Sequence, residues 1–254
     1  VSKVLIASSQ QKVVAVVPAA GVGKRMQANC PKQYLEINGK SILHHTVTRL
    51  LSHPNISHVV LALGHEDQYF AESELATHPD IVRVDGGKER VHSVLNALHA
   101  IDVDEYPWVL VHDAARPCVS HQDIDALIEC CFTLEQGGLL AAPVRDTMKR
   151  GYQQQGDTCV KHTVEREQLW HALTPQMYKT NELKQAIEQA LANDLTITDE
   201  SSAIELAQLP SHLVLGSSEN IKITHPDDLA LAEFYLNRQS ENLSKGKSSK
   251  NENL

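Results

Sequence analysis

Apolar residues recur along this chain in two rhythms, short β-prone runs and longer stretches at helical spacing. The runs at 13–17, 59–63, 81–84, 108–111 and 139–142 predict strands. Between them, residues 42–51 place Ile42, Leu43, Val47, Leu50 and Leu51 at helical spacing, and 89–101 and 122–134 read as two further helices. Strand, helix, strand in repeated alternation predicts an α/β fold, a doubly wound and mostly parallel sheet of Rossmann-like kind. From 143 to about 175 the alternation breaks. Gly151, the Gln153-Gln154-Gln155 run and Gly156 separate two β-prone flanks, 147–152 and 158–164, and predict a protruding hairpin arm. Such an arm is either a loose surface insertion or an element that needs a partner surface, and in a soluble enzyme a second copy of the chain is the commonest partner. A helix at 181–191, a segment at 196–206, strands near 213–215 and at 221–223, and a closing helix at 226–235 complete the pattern. Pro226 in the first turn with Asp227 and Asp228 beside it makes a good helix start.

The boundaries that follow are an extension at 1–12, one domain over 13–238 and a tail at 239–254. The tail is polar and lacks aromatic residues, so it is expected to remain disordered. At 254 residues and 42% apolar content, the chain can bury one large core but hardly two complete enzyme domains. Lysine and arginine number 23 against 32 acidic residues, and a net charge of −9 argues against general attraction to nucleic acid or anionic membrane. The apolar run at 4–7 is too short for a signal-peptide core or a membrane span. Five cysteines with no Cys-x-x-Cys pair suggest neither a disulfide framework nor a cysteine zinc site and fit a cytoplasmic enzyme. Fourteen histidines raise the question of metal, yet His-Glu-x-x-His is absent and His44-His45 point to different sides of a helix.

The chemistry concentrates in turns that follow strands. Pro18-Ala19-Ala20-Gly21-Val22-Gly23-Lys24-Arg25-Met26 runs from the first strand into a glycine-bearing, cationic loop. Gly21 and Gly23 permit positive φ and close backbone approach, while Lys24, Arg25 and Lys32 can surround an anion. The loop is neither a Walker loop, because Arg25 follows Gly23-Lys24, nor a dinucleotide fingerprint, because Met26 stands where a third glycine is required. What remains resembles the Ala-Ala-Gly-x-Gly-x-Arg-Met then Pro-Lys signature of nucleotidyltransferases that activate sugars and polyols.

His112-Asp113-Ala114-Ala115-Arg116-Pro117 follows another strand. Asp113 is either a turn cap or a magnesium ligand, and Arg116 either a solvated charge or an anion contact; their pairing at a strand end favours function, since magnesium needs only one or two carboxylates. Asp85-Gly86-Gly87-Lys88-Glu89-Arg90 opens a helix whose N-terminus suits anions or a base. Ser93 could bond a pyrimidine edge or be an ordinary helix serine.

Together with Cys30-Pro31-Lys32-Gln33-Tyr34, the segment 142–150, Leu173-Thr174-Pro175-Gln176, Thr198-Asp199-Glu200 and Asn220-Ile221-Lys222-Ile223-Thr224, these motifs resemble, in order and over about 13–235, the 2-C-methyl-D-erythritol 4-phosphate cytidylyltransferase family. The resemblance implies a nucleotidyltransferase fold, CTP as co-substrate, Mg²⁺, a homodimer with interlocking arms and a place in the non-mevalonate isoprenoid pathway. It implies Arg25, Lys32 and Lys222 as stabilisers of charge on the reacting phosphate. Ala19, Ala20, Gly21, Gly23, Gly87, Ser93 and Ala114 would bind CTP, and Asp113 its magnesium. Arg116, Thr147, Arg166 and Thr198 would receive methylerythritol phosphate, some of them from the partner's arm. Lys88 stands where some relatives carry an acid, so its backbone is the expected contact. The alternatives are a nucleotidyltransferase for another nucleotide or acceptor, and a nucleotide-binding regulator without catalysis.

Overall fold

Along the first strand the apolar residues alternate between two hydrophobic layers: Val13, Ala15 and Val17 face one side and Val14 and Val16 the other. Only a strand covered by helices on both faces can bury such a run, which is the signature of a parallel α/β sheet. The structure, a computed structural model, describes residues 12–21 and 30–251, with side chains as far as residue 242. In order it contains β1 (Val13–Pro18), β2 (Glu36–Ile37), β3 (Lys40–Ser41), α1 (Ile42–Leu51), β4 (Ile56–Leu63), α2 (Gln68–Ala71) and β5 (Ile81–Asp85). There follow α3 (Arg90–His99), β6 (Trp108–Val111), α4 (His121–Leu134), β7 (Gly138–Pro143), β8 (Met148–Gln154), β9 (Asp157–Val164) and β10 (Trp170–Lys179). The remainder is α5 (Thr180–Ala192), α6 (Glu200–Leu206), β11 (His212–Leu215) and α7 (Asp227–Asn251).

Seven strands form one sheet in the order β11-β7-β10-β6-β1-β4-β5. All neighbours are parallel except β10, which runs antiparallel to both β6 and β7. Helices α1 and α4 supply Leu43, Val47, Leu50, Ile124 and Leu127 to one face, and α3 and α5 supply Val94, Leu98, Leu183 and Ile187 to the other. Side-chain oxygens of Ser41, Ser120 and Asp199 cap α1, α4 and α6, satisfying amides that the first helical turn leaves without partners.

Four features differ from the sequence reading. Strand β10 begins inside the region assigned to the arm and crosses the sheet; its register slips between Ala172 and Gln176, which accommodates Pro175, a residue with no N–H to give the ladder. Residues 221–223 are not a strand. A backbone bond from Ile223 N to Ala115 O, with Ile223 packed in one cluster with Ile37, Ile42 and Ala232, ties them to the turn after β6 instead. Gly21 does not adopt positive φ; a Cβ there would meet nothing within 4 Å. The closing helix runs from Asp227 to Asn251, past the 226–235 expected from the sequence. Its anchorage includes Gln239, which donates to Cys118 O, and Asn237, which accepts from Asn38 Nδ2.

Strands β8 and β9 pair only with each other and form the arm, turning at Gln155-Gly156, both at positive φ as a two-residue hairpin turn requires.

Candidate active site

Strand β1 lies inside the sheet with β4 on one side and β6 on the other, all parallel, so the turns after β1, β5 and β6 open on the same edge. That edge, beyond the carboxyl ends of parallel strands, is where open α/β sheets bind ligands. The crevice there is lined by Pro18, Ala19, Ala20 and Gly21 after β1, by Gly87, Lys88, Glu89, Arg90 and Ser93 after β5, and by Asp113, Ala114 and Ala115 after β6. Lys32, Gln33 and Lys222 complete it. Thus Lys32 and Lys222, 190 positions apart in sequence, face one space.

Each wall is pinned by main-chain bonds. Ala19 N donates to Ala62 O and Gln33 Nε2 to Ala19 O, both at 2.8 Å, which holds the backbone after β1 against its neighbours. Lys32 Nζ donates to Ile223 O at 3.2 Å, joining the Pro31-Lys32-Gln33-Tyr34 turn to the segment that carries Lys222. Gly86 and Gly87 are required by contact rather than by φ: a Cβ on Gly86 would lie 2.3 Å from Ala20 Cβ, and one on Gly87 2.2 Å from His92 Cβ. The Ser93 hydroxyl accepts from Gly87 N at 3.0 Å, so Ser93 braces the glycine turn as well as lining the crevice.

Asp113 is the electrostatic centre. Its Oδ1 accepts from Arg90 Nε at 2.9 Å and its Oδ2 lies 2.7 Å from Lys222 Nζ, with Arg116 Nε at 3.7 Å. Burial alone would push this carboxyl up, but the three cations outweigh it and hold the group well below the ordinary carboxylate range. Arg90 in turn grips both oxygens of Glu200, at 2.6 and 3.0 Å. Behind Asp113, burial pushes His112 down to about 4, so the ring is neutral at physiological pH. The consistent tautomer has Nε2–H donating to Arg116 O, while Nδ1 accepts from Thr174 Oγ1, which itself accepts from Asp113 N. This chain of bonds fixes the turn after β6.

The remaining residues of the sequence reading are distributed differently. Arg116, expected to contact acceptor phosphate, is buried; its Nη1 donates to Asn220 O at 2.6 Å, while its Nε has no hydrogen-bond partner among the described residues and lies 3.7 Å from Asp113 Oδ2. Thr198 lines a second hollow with Ile197, Asp199 and Glu200, and Glu89 and Arg90 line both hollows, forming the wall between them. Thr147 and Arg166 flank the arm and are exposed, Arg166 donating to Arg145 O; neither lines the crevice of its own chain. Gly23 and Arg25 lie outside the described residues. Arg90 and Glu200 were not identified as site residues from sequence, although the motifs Gly86-Gly87-Lys88-Glu89-Arg90 and Thr198-Asp199-Glu200 contain them.

Magnesium typically takes one or two protein carboxylates together with phosphate and water, and Asp113 is a carboxylate that lines the crevice, its oxygens paired here with Arg90 and Lys222.

A sequence model of the family described as 2-C-methyl-D-erythritol 4-phosphate cytidylyltransferase matches residues 13–238. The chain is 72% identical over 240 residues to the protein of that name from Colwellia psychrerythraea, covering 92% of this chain and 99% of the relative. It is 59% identical to the Vibrio vulnificus protein of that name, over 93% and 99% of the two chains. Among solved structures, the Francisella tularensis cytidylyltransferase of the same name superposes with a TM-score of 0.76 at 35% identity, covering 88% of this chain and 99% of that one. The Thermus thermophilus enzyme gives 0.72 at 30% identity, over 87% and 97%.

Proposed function

The chain belongs to the 2-C-methyl-D-erythritol 4-phosphate cytidylyltransferase family, and on that premise we propose how its crevice works. The enzyme transfers the CMP moiety of CTP to 2-C-methyl-D-erythritol 4-phosphate, giving 4-diphosphocytidyl-2-C-methyl-D-erythritol and pyrophosphate, a step in non-mevalonate isoprenoid biosynthesis. An oxygen of the acceptor phosphate bonds to the α-phosphorus of CTP as the bond to the β-phosphate oxygen breaks, and the electron pair leaves with pyrophosphate.

The nucleophile is a phosphate monoester, already largely deprotonated at neutral pH, so no general base is required. His112, buried with both ring nitrogens engaged, is unsuited to that role. What remains is to align two polyanions and neutralise the charge that develops between them. The observation that carries this reading is the convergence of Lys32, Lys222 and Asp113 on one crevice with the turns after β1 and β5. Lys32, Lys222 and Arg25 stabilise the reacting phosphate; Ala19, Ala20, Gly21, Gly23, Gly87, Ser93 and Ala114 receive the nucleotide. Cytidine lies against the backbone of the Gly86-Gly87 turn, where the missing side chains leave room.

Magnesium, when bound, supplies neutralising charge to the triphosphate, and Asp113 is the residue that would hold it. Lys222, 40% exposed at its side chain against 29% for Arg90, is the partner of Asp113 freer to turn toward substrate. The acceptor occupies the side of the crevice toward Thr198. Thr147 and Arg166 reach it from the arm of a second copy, in a homodimer. This is supported by a two-stranded arm with no sheet of its own to cover it and by exposed Met148, Tyr152 and Val160 along it, since an isolated hairpin is marginal in water. A reducing cytoplasm suits the five free thiols. Among the described residues, no helix is long and apolar enough to cross a membrane.

Incubation with CTP, Mg²⁺ and methylerythritol phosphate, followed by phosphorus NMR, should yield a cytidine diphosphate ester and pyrophosphate. Faster pyrophosphate release with UTP or GTP than with CTP would overturn the assignment of the nucleotide.

A further inference from the structure

Arg90 is held more completely than any cation named so far. Its Nε donates to Asp113 Oδ1 at 2.9 Å, and its two terminal nitrogens donate to the two oxygens of Glu200 at 2.6 and 3.0 Å. Glu200 is 2% exposed and opens α6, whose N-terminus is itself fixed: Asp199 caps it by accepting from Ser202 N, and Gln176 of β10 accepts from Ser201 N at 2.7 Å while donating to Asp199 Oδ2 at 2.9 Å. The planar guanidinium therefore joins the wall of the Thr198 hollow to the carboxylate that holds Lys222. Among the described residues, Glu89, its neighbour, also lines both hollows.

We propose that Arg90 is a positioning residue for the transfer reaction, a strut from Glu200 that fixes Asp113 so that Lys222 is presented to the nucleotide phosphates. Arg90 occupies one carboxylate oxygen and leaves the other for Lys222. Without it, Asp113 would be free to rotate and to hold the ammonium with both oxygens, drawing it away from the triphosphate. A lysine cannot replace it, because one ammonium cannot bridge two carboxylates in a fixed plane. The strut rests on the cytidylyl-transfer reading, and its effect passes through Lys222 rather than through direct contact with substrate.

The test is a double-mutant cycle on the full-length enzyme, with kcat, KM for both substrates and separately titrated CTP affinity. Arg90→Lys should lower kcat by roughly 10- to 100-fold, as small misplacements of a reacting group do, with CTP affinity changed less than about threefold. In a Lys222→Ala background the same substitution should cost less than about threefold more, because the residue through which Arg90 acts is already gone. Glu200→Gln, which keeps the side-chain shape, should show the same dependence on Lys222 and serves if Arg90→Lys folds poorly by thermal denaturation. Losses that multiply fully in the double variants would mean that Arg90 touches phosphate itself or acts only on folding, and would overturn the strut. A wild-type enzyme that forms no cytidine diphosphate product would instead sink the transfer reading, so the two failures are distinguishable.

Discussion

A single ammonium group in this crevice is worth more than its counterpart in water, because it is fixed before the charge it stabilises develops. Lys32, tethered to Ile223 O, is such a group. Lys32→Ala should lower kcat by about 10²- to 10³-fold with little change in unfolding midpoint, and Lys32→Arg should recover only part of the loss because charge is retained but shape is not. Steady-state kinetics beside a urea melt will decide; full turnover in the alanine variant would remove Lys32 from the mechanism. His112 makes a second prediction at this scale. Unfolded, its ring binds a proton near pH 6.5; folded, burial holds the value at about 4. Between those values the unfolded state carries the extra proton, so acidification from pH 7 to pH 4.5 should destabilise the ligand-free protein, with His112 contributing up to about 3 kcal/mol. Urea melts across that range should slope less in His112→Gln; equal slopes would show that the ring does not refuse the proton.

The turns after β1 and β5 use their glycines for different reasons, and the difference is measurable. Gly86 leaves no room for a methyl group beside Ala20, whereas Gly21 faces open space. Gly86→Ala should push the two walls apart, lowering stability by about 1–3 kcal/mol, as overpacking does, and weakening CTP binding. Gly21→Ala should melt like the wild type yet raise the KM for CTP, because its Cβ would project into the crevice. Thermal melts paired with CTP titration separate the two, and equal melting losses would contradict the packing argument. The segment around Lys222 is held by side chains rather than by a ladder, with Arg116 on Asn220 O and Asn220 Nδ2 on Thr174 O. A lysine on such a segment is located by its bonds to neighbours, not by the periodicity of a strand.

At the scale of the whole molecule, a chain with net charge −9 binds polyanions by concentrating cations locally, which makes the crevice specific to phosphates without a generally basic surface. In the proposed homodimer, the arm would extend that logic to a second copy. Replacing β8 and β9 by a short turn should leave the seven-stranded sheet folded but convert a sedimenting dimer to a monomer. Mixing Lys32→Ala with Arg166→Ala should restore some activity if the arm works in trans, since each mixed dimer would hold one complete site. No recovery after subunit exchange would confine Arg166 to its own chain.

Much of this architecture was legible before any coordinates. The helix 42–51 is legible to its ends from apolar spacing alone, and the parallel strands are legible because their runs are continuously apolar. The same local signal misled at 221–223, where Ile-Lys-Ile alternates like a strand but packs against α7 and the turn after β6, and it missed β10, whose pattern Pro175 interrupts. Sequence by itself determined the alternating fold, the strand-end turns and the residue types that handle phosphate, since these follow from periodicity and local backbone chemistry. Only the tertiary structure decided that Arg90 bridges Glu200 and Asp113 while Arg116 donates to Asn220 O. Which carboxylate a guanidinium meets depends on where distant segments come to rest, and a linear pattern carries no record of that distance.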